Sequence, residues 1–145
     1  MDIKELLRSV ELFDGLTDDD LEDVAAICAQ RTFKEGEILA KEGEAGSELF
    51  IIGEGLVEVT VGGRSSPRVV VSLGTGQLIG EMSLVDRGPR SATVCAVYNP
   101  TVVQTIQHDA FQDLCQRNTR IGYIVMSNLA ADLSFKLRHR HLSGE

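Results

Sequence analysis

The sequence contains no tryptophan, only two tyrosines, three cysteines and three histidines, and each shortage removes a class of function. Cys28, Cys95 and Cys115 are far apart and lie in apolar, periodic stretches. An odd count without close spacing supports neither a disulfide framework nor a zinc site. They read as small buried apolar residues in a reducing compartment. Positive charge is also scarce, 14 Lys and Arg against 22 Asp and Glu, for a net charge of −8. Proteins that track nucleic-acid phosphates need clustered Lys and Arg, so no direct nucleic-acid binding is expected. No apolar run is long enough to span a bilayer, and the start MDIKELLRS lacks the apolar block of a signal peptide. The expectation is a cytoplasmic protein without a membrane segment.

Catalytic signatures are missing as well. There is no Gly-x-Ser-x-Gly elbow and no phosphate-binding Gly-x-x-x-x-Gly-Lys loop. Gly74-Thr75-Gly76 followed by Gly80 imitates a dinucleotide fingerprint, but Ile79 stands where the third glycine belongs. A metal-dependent β-barrel enzyme would need several inward His and Glu. Here His108 stands alone, and His139 and His141 sit beside Arg138 and Arg140 near the C-terminus, where positive charge suits a helix end. No metal, cofactor or enzymatic activity is expected.

What is present is ordinary soluble-domain material: 145 residues, 43% apolar and 25% charged, enough for one core. Ile3, Leu6, Leu7 and Val10 have helical spacing. Thr17 reads as the N-cap of a second helix, with Asp18, Asp19 and Asp20 in its first turn and Leu21, Val24, Ala25, Ile27 and Cys28 as its buried stripe. From Arg31 the period changes to short β-branched and aromatic runs separated by glycines. Gly62–Pro67 reads as an exposed hairpin loop, with Arg64 and Arg68 as solubility charges. After a last strand, Thr101–Ile106, His108–Cys115 reads as a helix, and a long helix starts at Thr119. It carries one apolar stripe of Ile121, Val125, Leu129, Leu133 and Leu137 and a second of Ile124, Ala131 and Phe135. Two stripes exceed what one supporting face needs, so the spare face can cover a ligand or pair with a second copy. The expected architecture is mainly β with flanking helices, one domain over 1–145. It has helices over about 2–30, an eight-stranded β-barrel of the jelly-roll kind over about 31–107 and C-terminal helices over about 108–141.

The stretch Gly80–Val94, GEMSLVDRGPRSATV, concentrates the remaining chemistry. The amides of a short helical turn over about Glu81–Leu84 can face an anion, and Gly80 and Ser83 are small enough to let it approach. Arg90 can meet a phosphate with two parallel hydrogen bonds, while Glu81 suits a sugar hydroxyl. Together they describe a pocket for a singly charged phosphodiester with a free ribose hydroxyl.

At these residues the chain resembles the cyclic nucleotide-binding domain family. The family's phosphate-binding cassette is matched by Gly80-Glu81-Met82-Ser83-Leu84 and Pro89-Arg90-Ser91-Ala92-Thr93-Val94. Gly36-Glu37-Ile38-Leu39, Gly43, Gly46, Phe50-Ile51-Ile52 and Gly55 look like its first strands and turns, so the likeness covers nearly the whole chain. The resemblance implies a barrel that binds cAMP or cGMP. Glu81 would hold the ribose 2′-hydroxyl and Arg90 the cyclic phosphate, with the Met82 and Ser83 amides and the Ser91 hydroxyl adding contacts. Ser91 leans the expectation to cAMP, as in regulators of the catabolite-activator type. In this family the C-terminal helix moves when ligand binds and often closes over the base. By helical position Asn128, Asp132, Phe135 and Lys136 are the lid candidates. Partners implied are the nucleotide and a homodimer through the long helix. The attached outputs usual in the family, a DNA-binding domain, a channel or a kinase, are not read in this sequence. The expectation is therefore a cyclic nucleotide sensor module, stand-alone or cut from a longer protein. The alternative is a ligand-independent dimerisation or docking domain of the same fold.

Overall fold

The computed structural model describes residues 2–62 and 68–142. Helix α1, Ile3–Arg8, is capped by Asp2, whose carboxylate accepts from the Glu5 amide at 2.9 Å. A 3-10 turn, Glu11–Phe13, leads to α2, Asp18–Ala26. Thr17 caps α2 as the spacing predicts, in a reciprocal capping box with Asp20. The strands follow: β1 Cys28–Phe33, β2 Ile38–Ala40, β3 Glu48–Glu54, β4 Val57–Val61, β5 Arg68–Leu73, β6 Leu78–Ile79, β7 Thr93–Ala96 and β8 Thr101–Gln107. Helices α3, His108–Arg117, and α4, Thr119–Leu142, complete the chain.

Three of the sequence expectations need correction or fall outside what is described. The strands do not close into a jelly-roll barrel. They form two antiparallel four-stranded sheets, ordered β1-β8-β3-β6 and β2-β7-β4-β5. Closure requires every strand to be paired on both sides. Among the described residues β1 and β6 stay as edges of the first sheet, and β2 and β5 as edges of the second. Two-residue β6 pairs, among the described residues, only with β3, through Phe50–Ile79 and Ile51–Leu78. Helix α2 also stops earlier than its apolar spacing suggests: Ile27 is its C-cap and Cys28 opens β1. Six consecutive pairings with β8, from Cys28–Ile106 to Phe33–Thr101, override the helical pattern there. Of the expected hairpin loop, residues 63–67, Arg64 among them, lie outside the described residues, as does the His141 side chain.

Strand β3 shows how the layers stack. Leu49, Phe50, Ile51 and Ile52 are all fully buried, because alternate side chains leave opposite faces of a strand. Leu49 and Ile51 pack with the helices, beside Leu7, Val24, Phe111, Ile121 and Val125. Phe50 and Ile52 pack between the sheets, beside Phe33, Val57, Val94 and Val103. The first sheet is therefore covered on both faces at β3, while its edge strand β1 is exposed from Ala29 to Thr32. The second turns its outer face to solvent, with Ile38, Val69 and Val71 exposed. Along α4 only the first part of the predicted stripe is buried, Ile121, Val125 and Leu129, while Phe135 and Leu137 are exposed. All three cysteines are free, and burial pushes the Cys28 thiol up to about 12, which keeps it protonated.

Asp20 is buried, and both of its carboxylate oxygens accept hydrogen bonds from the Arg120 guanidinium of α4. The Arg120 hydrogen bond holds its carboxyl below the usual carboxylate range, against the opposing effect of burial, and bonds from Thr17 help. A depressed folded value stabilises the protein above the unfolded value of about 4, and the contribution is lost as the pH falls through the folded value. Asp20→Asn is therefore expected to melt below wild type at neutral pH, with the gap narrowing below about pH 4. Melting curves across pH check this, and a gap that stays constant would contradict it.

Candidate functional site

Gly80–Val94 crosses from β6 at the edge of one sheet to β7 in the other. Gly80, at φ 78°, turns the chain into a 3-10 turn over Glu81–Leu84, where the sequence predicts a turn of helix. Leu84 anchors this turn in the helix-side core, and Ser83 is buried beside it. Asp86 then accepts from the Gly88 amide at 2.9 Å. Arg87 is paired with Asp109 at the start of α3. The β2–β3 connection straps the far end of the crossing. The Gly46 amide donates to the Gly88 carbonyl at 2.9 Å, and the Arg90 amide to the Glu44 carbonyl at 2.7 Å.

The Arg90 side chain runs inward from that strap. Its Nη1 donates to Ser83 Oγ at 3.0 Å and its Nη2 to the Glu48 carbonyl at 2.9 Å. The guanidinium carbon sits 5.5 Å from the centre of the Phe50 ring, within cation–π range. Among the described residues no carboxylate forms an ion pair with it. The carboxylate of Glu48 is spent on Arg31 at 3.1 Å and Gln107 at 2.7 Å. Burial pulls the Arg90 pKa down from its ordinary value, and the Glu48 charge offsets this only in part. The site is thus a half-buried cation held by neutral partners, with N–H groups left over to offer.

Glu81 does not pair with Arg90. Its partly buried carboxylate accepts from Lys136 Nζ of α4 at 3.3 Å, and Lys136 also meets Asp132 at 3.0 Å. A cleft of about 770 Å³ opens beside Glu81, walled by Leu12, Gln77, Leu78, Asn128 and Lys136 among others. This is a usual size for a small-molecule site. Arg90 does not line it.

Of the residues singled out from sequence, Gly80, Ser83 and Arg90 are in mutual contact. Met82 and Ser91 are exposed on the same crossing. The Ser83 amide already donates to the Gly80 carbonyl at 2.9 Å. Ser83 therefore serves Arg90 through its hydroxyl. Among the lid candidates, Asp132 and Lys136 reach Glu81, directly or through each other. Asn128 instead donates to the Leu12 and Asp14 carbonyls, at 2.9 Å each, tying α4 to the N-terminal turn. Phe135 is exposed and stacks on His139 at 3.7 Å. Sequence reasoning did not place Phe50, the Glu48 carbonyl or Gly46 at the site. For Gly46 a signal existed, a glycine in the turn before a strand. A Cβ there would lie 3.0 Å from both Arg90 Nε and Ser83 Oγ. Among the described residues no group of three or more His, Cys, Asp or Glu could hold a metal ion, and no helix is long and apolar enough to cross a membrane.

Residues 30–118 match the model of the cyclic nucleotide-binding domain. The chain belongs to that family. This cyclic nucleotide-binding domain is 30% identical over 139 residues to the cyclic AMP receptor protein of Thermus thermophilus, covering 94% of this chain and 61% of that one. It is 31% identical over 110 residues to human cGMP-dependent protein kinase 2, covering 74% of this chain and 14% of the kinase. The crystal structure of the N-terminal domain of a transcriptional regulator from Streptomyces coelicolor superposes with a TM-score of 0.84 at 26% identity, covering 92% of this chain and 94% of that one. The domain thus spans a small part of the kinase and about three fifths of the Thermus protein. As a member of this family it is a regulatory, cyclic-nucleotide-sensing module.

Of the two glycines that touch Arg90, Gly80 has the less freedom. Its backbone is left-handed, and a Cβ there would stand 2.2 Å from Arg90 Nη1. Gly80→Ala is expected to cost roughly 1–3 kcal/mol in strain and displacement of the guanidinium. Gly46→Ala, whose neighbours need give way by only tenths of an ångström, should cost less. Urea unfolding of the two variants checks the order, and an equal or larger loss for Gly46→Ala would contradict it.

Proposed function

We propose that this domain binds cAMP in preference to cGMP at Gly80–Ser91, and that binding shifts α4 to regulate a partner or an attached domain. The observation that carries the proposal is Arg90, a half-buried guanidinium whose partners are a hydroxyl, a carbonyl and an aromatic ring. Such a charge gains from a singly charged phosphate that takes up its remaining N–H groups in parallel. Glu81, next to Gly80 and facing the cleft, would accept from the ribose 2′-hydroxyl. The Met82 amide and the Ser91 hydroxyl would add phosphate contacts. Relatives named for cAMP and for cGMP both occur, so the preference for cAMP rests on Ser91 following the arginine. Movement of α4 is supported by its direct contact with Glu81 through Lys136.

The exposed Tyr123, Phe135 and Leu137 favour one further reading of α4, as the surface on which a second copy docks. Sedimentation with and without nucleotide separates the two. A dimer indifferent to nucleotide would favour a purely docking role.

Calorimetric titration with cAMP, cGMP and AMP tests the binding proposal. Affinity should fall in that order, since AMP carries more charge than one arginine balances beside Glu81. Arg90→Ala should weaken cAMP binding by roughly 2–5 kcal/mol, about 30-fold or more. Unchanged affinity in that variant would sink the mechanism.

A further inference from the structure

The acid assigned to the sugar hydroxyl is already engaged by the helix proposed to move. Lys136 Nζ lies 3.3 Å from Glu81 Oε1 and 3.0 Å from Asp132 Oδ2, one turn back on α4. The Glu81 side chain is 21% exposed and that of Lys136 58%, so the carboxylate is the more sheltered partner. Burial alone would lower the Lys136 pKa. The hydrogen bond to Asp132 and the charge of Glu81 outweigh it and hold the value above the ordinary one, so the ammonium stays charged. Upstream, α4 is fixed to the body by Asn128 and by the buried side chains up to Leu129. Beyond Leu129, Leu133 is partly buried against the same core, Lys136 supplies a polar tie to the cassette, and Phe135 and Leu137 face solvent.

We infer that Lys136 is an autoinhibitory clamp: it helps hold the C-terminal half of α4 on the cassette by engaging Glu81, and a ligand's 2′-hydroxyl competes with it for that carboxylate. The inference rests on the assignment of Glu81 to the sugar. It turns one carboxylate into a shared acceptor, contested by a helix cation and a ligand hydroxyl. Release of Lys136 then loosens the helix beyond Leu133, leaving Lys136 with its link to Asp132 within α4 itself.

Lys136→Met tests the clamp, since it removes the ammonium and keeps the apolar stem. Titrated with cAMP, the variant should bind more tightly than wild type by roughly two- to fivefold, the scale of a partly exposed ion pair. With 2′-deoxy-cAMP, which has no hydroxyl to compete, the two proteins should bind alike. Equal or weaker cAMP binding by the variant would overturn the competition and make Lys136 a ligand contact or a bystander. A gain shared by the deoxy ligand would overturn it too. Amide hydrogen exchange over residues 130–137 without nucleotide provides an independent readout. It should speed up in Lys136→Met and in Glu81→Ala, and unchanged exchange in both would overturn the clamp. If wild type binds neither nucleotide, the assignment of the site fails, and exchange still decides whether Lys136 clamps α4.

Discussion

Arg90 is a cation that the fold has drawn partly away from water and that forms no ion pair with a carboxylate among the described residues, the nearby charge of Glu48 offsetting its burial only in part. Its guanidinium spans the gap between the sheets' crossing and β3, bonded to Ser83 and to the Glu48 carbonyl and set over Phe50. Much of the surrounding architecture serves that placement. The strap between the β2–β3 connection and residues 88–90 fixes its backbone. Gly80 and Gly46 leave room for its side chain. Leu84, sunk in the helix-side core, anchors the turn that brings Ser83 to it. Neutral partners orient a guanidinium but, with Glu48 at some remove, leave its charge only partly compensated, and a phosphodiester anion would complement that.

The position of Glu81 gives the site a second function. It lies beside Gly80 and hence beside the arginine, yet its partner is on α4. One 3-10 turn thereby touches both halves of the molecule: Arg90 through Ser83, and the long helix through Glu81. The Arg87–Asp109 pair and the Gln112 side chain, which donates to the Leu84 carbonyl at 3.4 Å, join the same crossing to α3. A rearrangement in the crossing therefore has two routes into the C-terminal helices, both through named polar contacts.

How much of this the sequence discloses follows from how local each feature is. Thr17 with Asp20, and Gly80 with the turn after it, depend on neighbours a few residues apart and are legible. So is the burial of Ile121, Val125 and Leu129, which share a helix face. The two open sheets are not. Alternation fixes which face of a strand is buried but not which strands pair at the edges, and a barrel and a pair of sheets share that pattern. The start of β1 at Cys28 depends on β8, some seventy residues later, and overrides a helical stripe. At the site, Glu48 contributes a backbone carbonyl 42 residues from Arg90, a role that no side-chain pattern encodes. Phe50 reads as core, and it is core on one side and a platform for the guanidinium on the other. Lys136 is legible only as one of several residues on a helix that faces the cassette, and the fold selects it.

The proposed neutralisation of Arg90 by a cyclic phosphate is most directly read by isotope-edited NMR of the arginine side chains during titration with cAMP. The Arg90 Nε–H signal should shift with saturation, while that of Arg120, already paired with Asp20, stays in place. Saturable cAMP binding with an unmoved Arg90 signal would contradict the account.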